Sequence, residues 1–327
     1  MWDNADKAYK GVLEMIIDSH VHLMAQGWAH DRASMGFARI AAAIIGKDTG
    51  EYPDAEQLAK TITPISYDPT GEKLIASMDA AGVDISCIFT VDFGLATGEP
   101  EIPIEDQNRM IAEAAKRFPG RLIPFFAIDP RRARSTDMFS RAVEDWDMRG
   151  LKFHPTSGYF PNDEVCYPLY EKCMEYGFPV IVHTGGMLAP LKGRFTSPIY
   201  VDDVAADFPE LPIIMAHAGQ ADWQEALMIA VYKPNVYLDF SALETFFVAH
   251  PGDFYRRLRR IIDDIGPWRV FFGSDSPLFN LVCPIDAWVK AIAEPDLSSC
   301  ADASFTEKEK DIVLGKAFAR LMGIQAT

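Results

Sequence analysis

His20 and His22 stand two residues apart at the end of the apolar run MIIDSHVH. Side chains alternate along a β-strand, so residues at this spacing point to the same face. Asp18, His20 and His22 then share one face, with the histidines at the strand's C-terminal end. Two imidazoles so placed can grip one metal ion, although the HxH pattern alone also fits a pair of core histidines. Other acid–base residues fall in comparable places: His183 closes FPVIVH, His217 closes LPIIMAH and Asp275 follows RVFFGS. Imidazoles and a carboxylate converging from separate strands suit a divalent ion, zinc first, with manganese, iron or cobalt also possible.

The elements that must position these groups are legible as a rhythm. Apolar runs at 15–20, 86–91, 122–128, 149–154, 178–183, 211–217, 235–240 and 269–274 read as strands. Amphipathic stretches between them, at 105–117, 136–146, 165–176, 222–231 and 254–264, read as helices. This alternation predicts an α/β fold with a parallel sheet, and eight such strands predict a closed (β/α)8 TIM barrel. Catalytic groups of such barrels sit at the C-terminal ends of the strands, where His20, His22, His183, His217 and Asp275 all fall. Residues 24–70 break the rhythm and read as an inserted, lid-like loop after the first strand. A C-terminal helix is expected near 306–322, with Thr306 and Glu309 as its capping box. Nothing resembling a linker, low-complexity tract or repeat divides the sequence, so residues 1–327 read as a single domain.

Composition bounds the rest. The chain has 327 residues, 49% hydrophobic and 24% charged, with a formal net charge of -16. That charge argues against nucleic acid and anionic membrane surfaces as partners, but not against an anionic small-molecule substrate met by a local cation. The sequence lacks an apolar run long enough to span a bilayer, and its start, MWDNADKAYKGVLEM, is too polar for a signal peptide. Five cysteines without a CxxC pair fit reduced thiols in a cytoplasmic protein, with Cys166 and Cys173 read as core fillers. A homo-oligomer remains open.

Across most of its length the chain resembles the amidohydrolase superfamily, in the amidohydrolase-related branch that includes aminocarboxymuconate-semialdehyde decarboxylase. The stretches that carry the resemblance are IDSHVH (17–22), GRLIPFFAIDP (120–130), RGLKFHP (149–155), YPLYEKCMEYGFPVIVHTG (167–185), SPIYVDDVAADFPELPIIMAHAG (197–219) and FFGSDSP (271–277). The insertion and residues 241–268 carry no such pattern, and Lys316 and Phe318 depart from the branch's usual ending. The resemblance implies that His20, His22 and His183 are metal ligands. It implies that Asp275 is the carboxylate touching both metal and catalytic water, and that His217 polarises substrate or assists proton transfer. A metal-activated water is then available near neutral pH.

Other residues admit two readings. Lys152 and His154 share a strand face. In some amidohydrolases a carboxylated lysine on this strand bridges two metals; otherwise Lys152 is a buried cation paired with a carboxylate such as Asp18. His154 either contacts substrate or packs at the rim. Arg194 and Lys192 follow His183 and either bind a substrate carboxylate or are solvated. Trp28 either closes the pocket or meets another subunit. His30 and His250 read as ordinary loop residues, and RRLRR (256–260) as a solvated basic stripe. The leading expectation is hydrolysis of a C–N or C–O bond in a small, carboxylate-bearing amide, lactone or ester. The alternative is non-oxidative decarboxylation of an aromatic or muconate-like acid, and a barrel without turnover is a third.

Overall fold

The computed structural model describes residues 15–325, so the polar N-terminal stretch up to residue 14 lies outside the described residues. Strand segments occur at β1 Ile17–His22, β2 Ile85–Phe89, β3 Leu122–Pro124, β4 Phe126–Ala127, β5 Leu151–Phe153, β6 Val180–His183, β7 Ile213–Ala216, β8 Val236–Asp239 and β9 Val270–Phe271. All pair in parallel, in the orders β1-β2-β3 and β4 through β9. β3 and β4 flank Phe125 and are halves of one strand, which yields the eight expected strands. Phe125 N–H donates to the Ile88 carbonyl and Phe126 N–H to that of Gly150, both at 2.9 Å, carrying the ladder across this break. At the other seam, Ser19 N–H reaches the Phe272 carbonyl at 2.9 Å and His22 N–H that of Ser276 at 2.8 Å. First and last strands therefore meet, and the (β/α)8 barrel closes.

Two apolar layers hold the barrel. Inside it, Ile17, Cys87, Phe89, Phe125, Ile181, Ile214 and Phe271 pack together, and Ile312, Ala317 and Phe318 from the C-terminal segment join them. Phe318 sets its ring 5.4 Å from that of Phe271, so its bulk fills the barrel base. Thr306 and Glu309 do form the capping box, after which the segment runs through Glu307–Asp311, one π-turn at Ile312–Lys316 and Ala317–Leu321. Outside the barrel, helices bury one apolar stripe each; Pro251–Ile265, for example, buries Phe254, Leu258, Ile261 and Ile262.

That helix corrects the solvated reading of RRLRR. Arg256, Arg259 and Arg260 pair with Asp302, Asp263 and Asp264 respectively. Arg257 is buried, 5.5 Å above the Trp223 ring, and donates to the Ala218 carbonyl at 2.9 Å. The stripe is thus largely neutralised, and one of its members belongs to the interior.

The insertion is also more ordered than a loop. It contains the helices Asp31–Gly46 and Ala55–Thr61 and a 3-10 turn at Thr63–Ser66. The sequence ASMGFARIAAAIIG explains the longer helix, being rich in alanine and apolar residues at helical spacing. His30 is its N-cap, accepting from Arg32 N–H at 3.2 Å, so this histidine is not an idle loop residue. Gly36 lets the helix lie against the connection after β6, since a methyl there would overlap the Ala189 carbonyl. All five cysteines are buried and free. Among the described residues, no helix is long and apolar enough to cross a membrane.

Candidate metal centre

Strand alternation and a few deliberate breaks in it bring the polar groups together. β1 and β2 shift register between Asp18 and Val21. This bulge changes the parity of β1: Ile17 packs with the interior cluster, yet His20 and His22 beyond it also set their rings against Phe89. His217 and Asp275 adopt left-handed backbone conformations, φ 64° and 49°, as do Ala218, Gln220 and Ala242 nearby. Non-glycine residues pay strain there, and its concentration at the C-terminal rim marks a site that aims side chains rather than optimises the backbone.

The ligand-type atoms of His20, His22 and Asp275 all lie within 4.8 Å of one another. Asp275 Oδ1 is 3.1 Å from His22 Nε2 and 3.4 Å from His20 Nε2, yet it is buried without an aligned hydrogen-bond donor. The protonation pattern follows from the partners. His20 Nδ1–H donates to Asp239 Oδ2 at 3.0 Å, which leaves a lone pair on Nε2. His217 Nδ1 faces the Ser241 carbonyl at 3.2 Å and the Ser241 hydroxyl at 2.9 Å, so it carries the proton. Its Nε2 then accepts from His183 Nδ1–H at 2.9 Å, and His183 Nε2 is left as a buried lone pair with no partner. Orphaned acceptors at Asp275 Oδ1 and His183 Nε2 beside the His20–His22–Asp275 trio fit a divalent cation, with His183 standing outside the group whose atoms lie within 4.8 Å of one another.

Burial also keeps these imidazoles neutral, as metal ligation requires. It holds His20, His154 and His217 well below the usual histidine value, and brings His183, next to the Lys152 charge, down to about 3. His22 is lowered for the same reason, with the Asp275 carboxylate opposing.

Lys152 and Asp18 do not pair. Lys152 Nζ lies 3.0 Å from His20 Nε2 and 4.7 Å over the Phe89 ring, and burial lowers its pKa to about 8. Asp18 turns on the bulge to Ser274, whose N–H and hydroxyl both donate to it, and burial raises its pKa to about 7. Asp239 is the residue that sequence reasoning passed over. It is fully buried, and besides His20 it accepts from the backbone N–H of His217 at 3.0 Å and of Ser241 at 3.1 Å. Its signal was present: an acid next to last in NVYLDF, at the same rim as the other groups.

A cavity of about 410 Å³ opens over this rim. His22, His154, His183, His217 and Asp275 line its floor, and Trp28, Phe37, Ile40 and Ile44 of the insertion line its wall. His154 stacks on His183 at 4.0 Å and bonds the Thr156 hydroxyl at 2.7 Å. Trp28 is buried, with an indole N–H that finds no acceptor. Lys152 sits behind His20 rather than on the cavity surface. Arg194 and Lys192 are exposed and outside the lining, and the Arg194 guanidinium stacks 4.6 Å over the Phe195 ring. The loop after β6 directs Arg194 outward, so it does not serve the cavity as a carboxylate receptor.

The amidohydrolase family model matches residues 17–324. No curated protein matches the sequence. Solved structures share the fold. An uncharacterised TIM-barrel protein of Bordetella bronchiseptica is 21% identical, with a TM-score of 0.66 over 95% of this chain and 99% of that one. The 5-carboxyvanillate decarboxylase of Novosphingobium aromaticivorans, as a point mutant with manganese and 3-methoxy-4-hydroxy-5-nitrobenzoic acid, is 15% identical. Its TM-score is 0.67 over 98% of this chain and 100% of that one. A probable 2-pyrone-4,6-dicarboxylic acid hydrolase of Acinetobacter baumannii, with citric acid bound, is 15% identical, with a TM-score of 0.58 over 94% and 99%.

Proposed function

The chain belongs to the amidohydrolase family, and from that premise we propose that it is a metal-dependent hydrolase cleaving a C–N or C–O bond of a small amide, lactone or ester. The observation that carries this reading is Asp275 Oδ1, a buried acceptor without a donor, on the cavity floor beside the His20 and His22 nitrogens. His20, His22, His183 and Asp275 would hold one divalent ion, zinc by the chemistry of the donors and manganese as the alternative. When bound, such an ion supplies Lewis acidity, polarising the scissile carbonyl and bringing the pKa of water near 7.

The protein's own groups supply the rest. Asp275 is placed to take a proton from the attacking water as its oxygen joins the carbonyl carbon. The same proton can pass to the leaving nitrogen or oxygen as the C–N or C–O bond breaks. His217, with Nδ1–H held by Ser241 and Nε2 accepting from His183 Nδ1–H, offers no N–H to an oxyanion; it would orient the His183 ring, and a proton relayed through it would pass once that bond opens. Trp28 and His154 would contact substrate, and the apolar wall would exclude competing water.

Decarboxylation is the second reading, favoured by the aromatic acid held in the Novosphingobium structure. Against it stands the lining of this cavity, which among the described residues includes no lysine or arginine to hold a carboxylate. Metal-replete protein offered lactones, amides, esters and hydroxybenzoates decides between them. Acid release without carbon dioxide supports hydrolysis; carbon dioxide evolution from a hydroxybenzoate overturns it.

A further inference from the structure

We propose that the substrate presents a neutral, extended apolar group to the cavity and carries no carboxylate beyond the reacting end. This rests on the hydrolase reading and names its substrate class: esters, lactones or amides of medium-length alkyl or aryl groups. The expected carboxylate-bearing substrate is thereby set aside.

The cavity's volume, about 410 Å³, is that of a small-molecule site. Its walls away from the metal rim are mostly apolar, with Trp28, Phe37, Ile40 and Ile44 from the insertion and Leu188 and Phe279 from the barrel loops, while Ser34, Thr90, Asp92 and Gln107 are among the polar groups that also line it. Among the described residues, the acids that line it are Asp92 and Asp275, and no lysine or arginine does. Cations close by are already engaged. Arg132 binds Asp92 through Nε and a terminal nitrogen, at 2.5 and 2.8 Å, and also Glu99. Arg131 is bound to Asp129, and Lys152 lies against His20.

A carboxylate entering such a space away from the metal loses its hydration and gains no lysine or arginine as counter-charge. An alkyl or aryl group gains instead, by a factor of about four in affinity for each methylene buried. Two solved structures of similar fold hold an aromatic or an aliphatic acid; the lining here offers such a group no lysine or arginine.

The test is calorimetric binding of hydroxamates to the zinc-loaded full chain. Acetohydroxamate, octanohydroxamate and suberic acid monohydroxamate share one metal-binding head, and the last two differ only in a terminal carboxylate. Octanohydroxamate is expected to bind at least about a hundredfold more tightly than acetohydroxamate, given several buried methylenes. It should also exceed the suberic compound by about tenfold or more. Ile44→Lys, which puts a cation at the half-exposed mouth of the cavity, should narrow or reverse that last difference. If acetohydroxamate binds but the octyl chain adds nothing, or the suberic compound binds more tightly, the inference is overturned while the metal reading stands. If acetohydroxamate itself does not bind, the metal reading falls and takes this inference with it.

Discussion

Asp239→Asn probes how the centre is held, because the change keeps size and shape while altering one contact. Asp239 Oδ1 accepts two backbone N–H groups, from His217 and Ser241, and the Ser241 hydroxyl. Asparagine must therefore leave its oxygen on that side and turn its NH2 toward His20 Nδ1, 3.0 Å away in the native arrangement. Donor then meets donor. His20 can relieve this by moving its proton to Nε2, which removes the lone pair facing Asp275, or by turning its ring away. A carboxylate orienting a ligating histidine is worth 10–100-fold in metal affinity, or about 1.4–2.7 kcal/mol. Losing one buried charge-assisted hydrogen bond should cost the fold about 1.5–3 kcal/mol as well. Zinc affinity measured by chelator competition, with urea unfolding of the metal-free proteins alongside, separates the two effects. The variant should remain folded and show a zinc Kd raised 10–100-fold. A variant that holds zinc as tightly as the wild type would refute the orienting role and the tautomer deduced for His20.

Four further outcomes are expected. Asp275→Asn should keep the native circular dichroism but lower kcat by on the order of 10²–10⁴-fold, and near wild-type turnover with metal bound would reject the proton path. Trp28→Ala should raise KM or lower kcat on the true substrate without changing metal content; unchanged kinetics would remove Trp28 from the pocket. Thr306→Ala breaks the capping box and should cost about 1 kcal/mol in urea unfolding. The Arg259 hydrogen bond holds the Glu309 carboxyl at about 2, below its ordinary 4.5, so its stabilising effect is full above pH 4.5 and is lost as pH falls toward 2. Glu309→Gln should accordingly lower the urea midpoint at pH 7 and match the wild type near pH 2.

The barrel was legible because its period is simple: each apolar run and each amphipathic stretch announces itself within a dozen residues. The same periodicity put His20, His22, His183, His217 and Asp275 at one rim. What escaped was non-periodic. The bulge in β1 moved Asp18 from Lys152 to Ser274, and no local pattern encodes a register shift that depends on the neighbouring strand. Arg194 lies in a loop whose direction is set by tertiary packing, and its guanidinium went to Phe195 instead of the cavity. Arg257 shares a helix with exposed arginines, and only its place on the apolar stripe separates it from them. The helices of the insertion were readable, since Asp31–Gly46 has helical spacing and good formers, but its length between strands suggested a loop. Asp239 was readable too, as an inward acid at a strand end.

The central claim is that His20, His22, His183 and Asp275 make one divalent-metal site, and metal stoichiometry tests it most directly. Elemental analysis of purified protein, supplemented with zinc or manganese and then dialysed, should find close to one ion per chain. The double variant His20→Ala/His22→Ala, still folded by circular dichroism, should retain none. Wild-type protein that keeps no tightly bound ion after supplementation would contradict the account, as would a double variant that binds metal like the wild type.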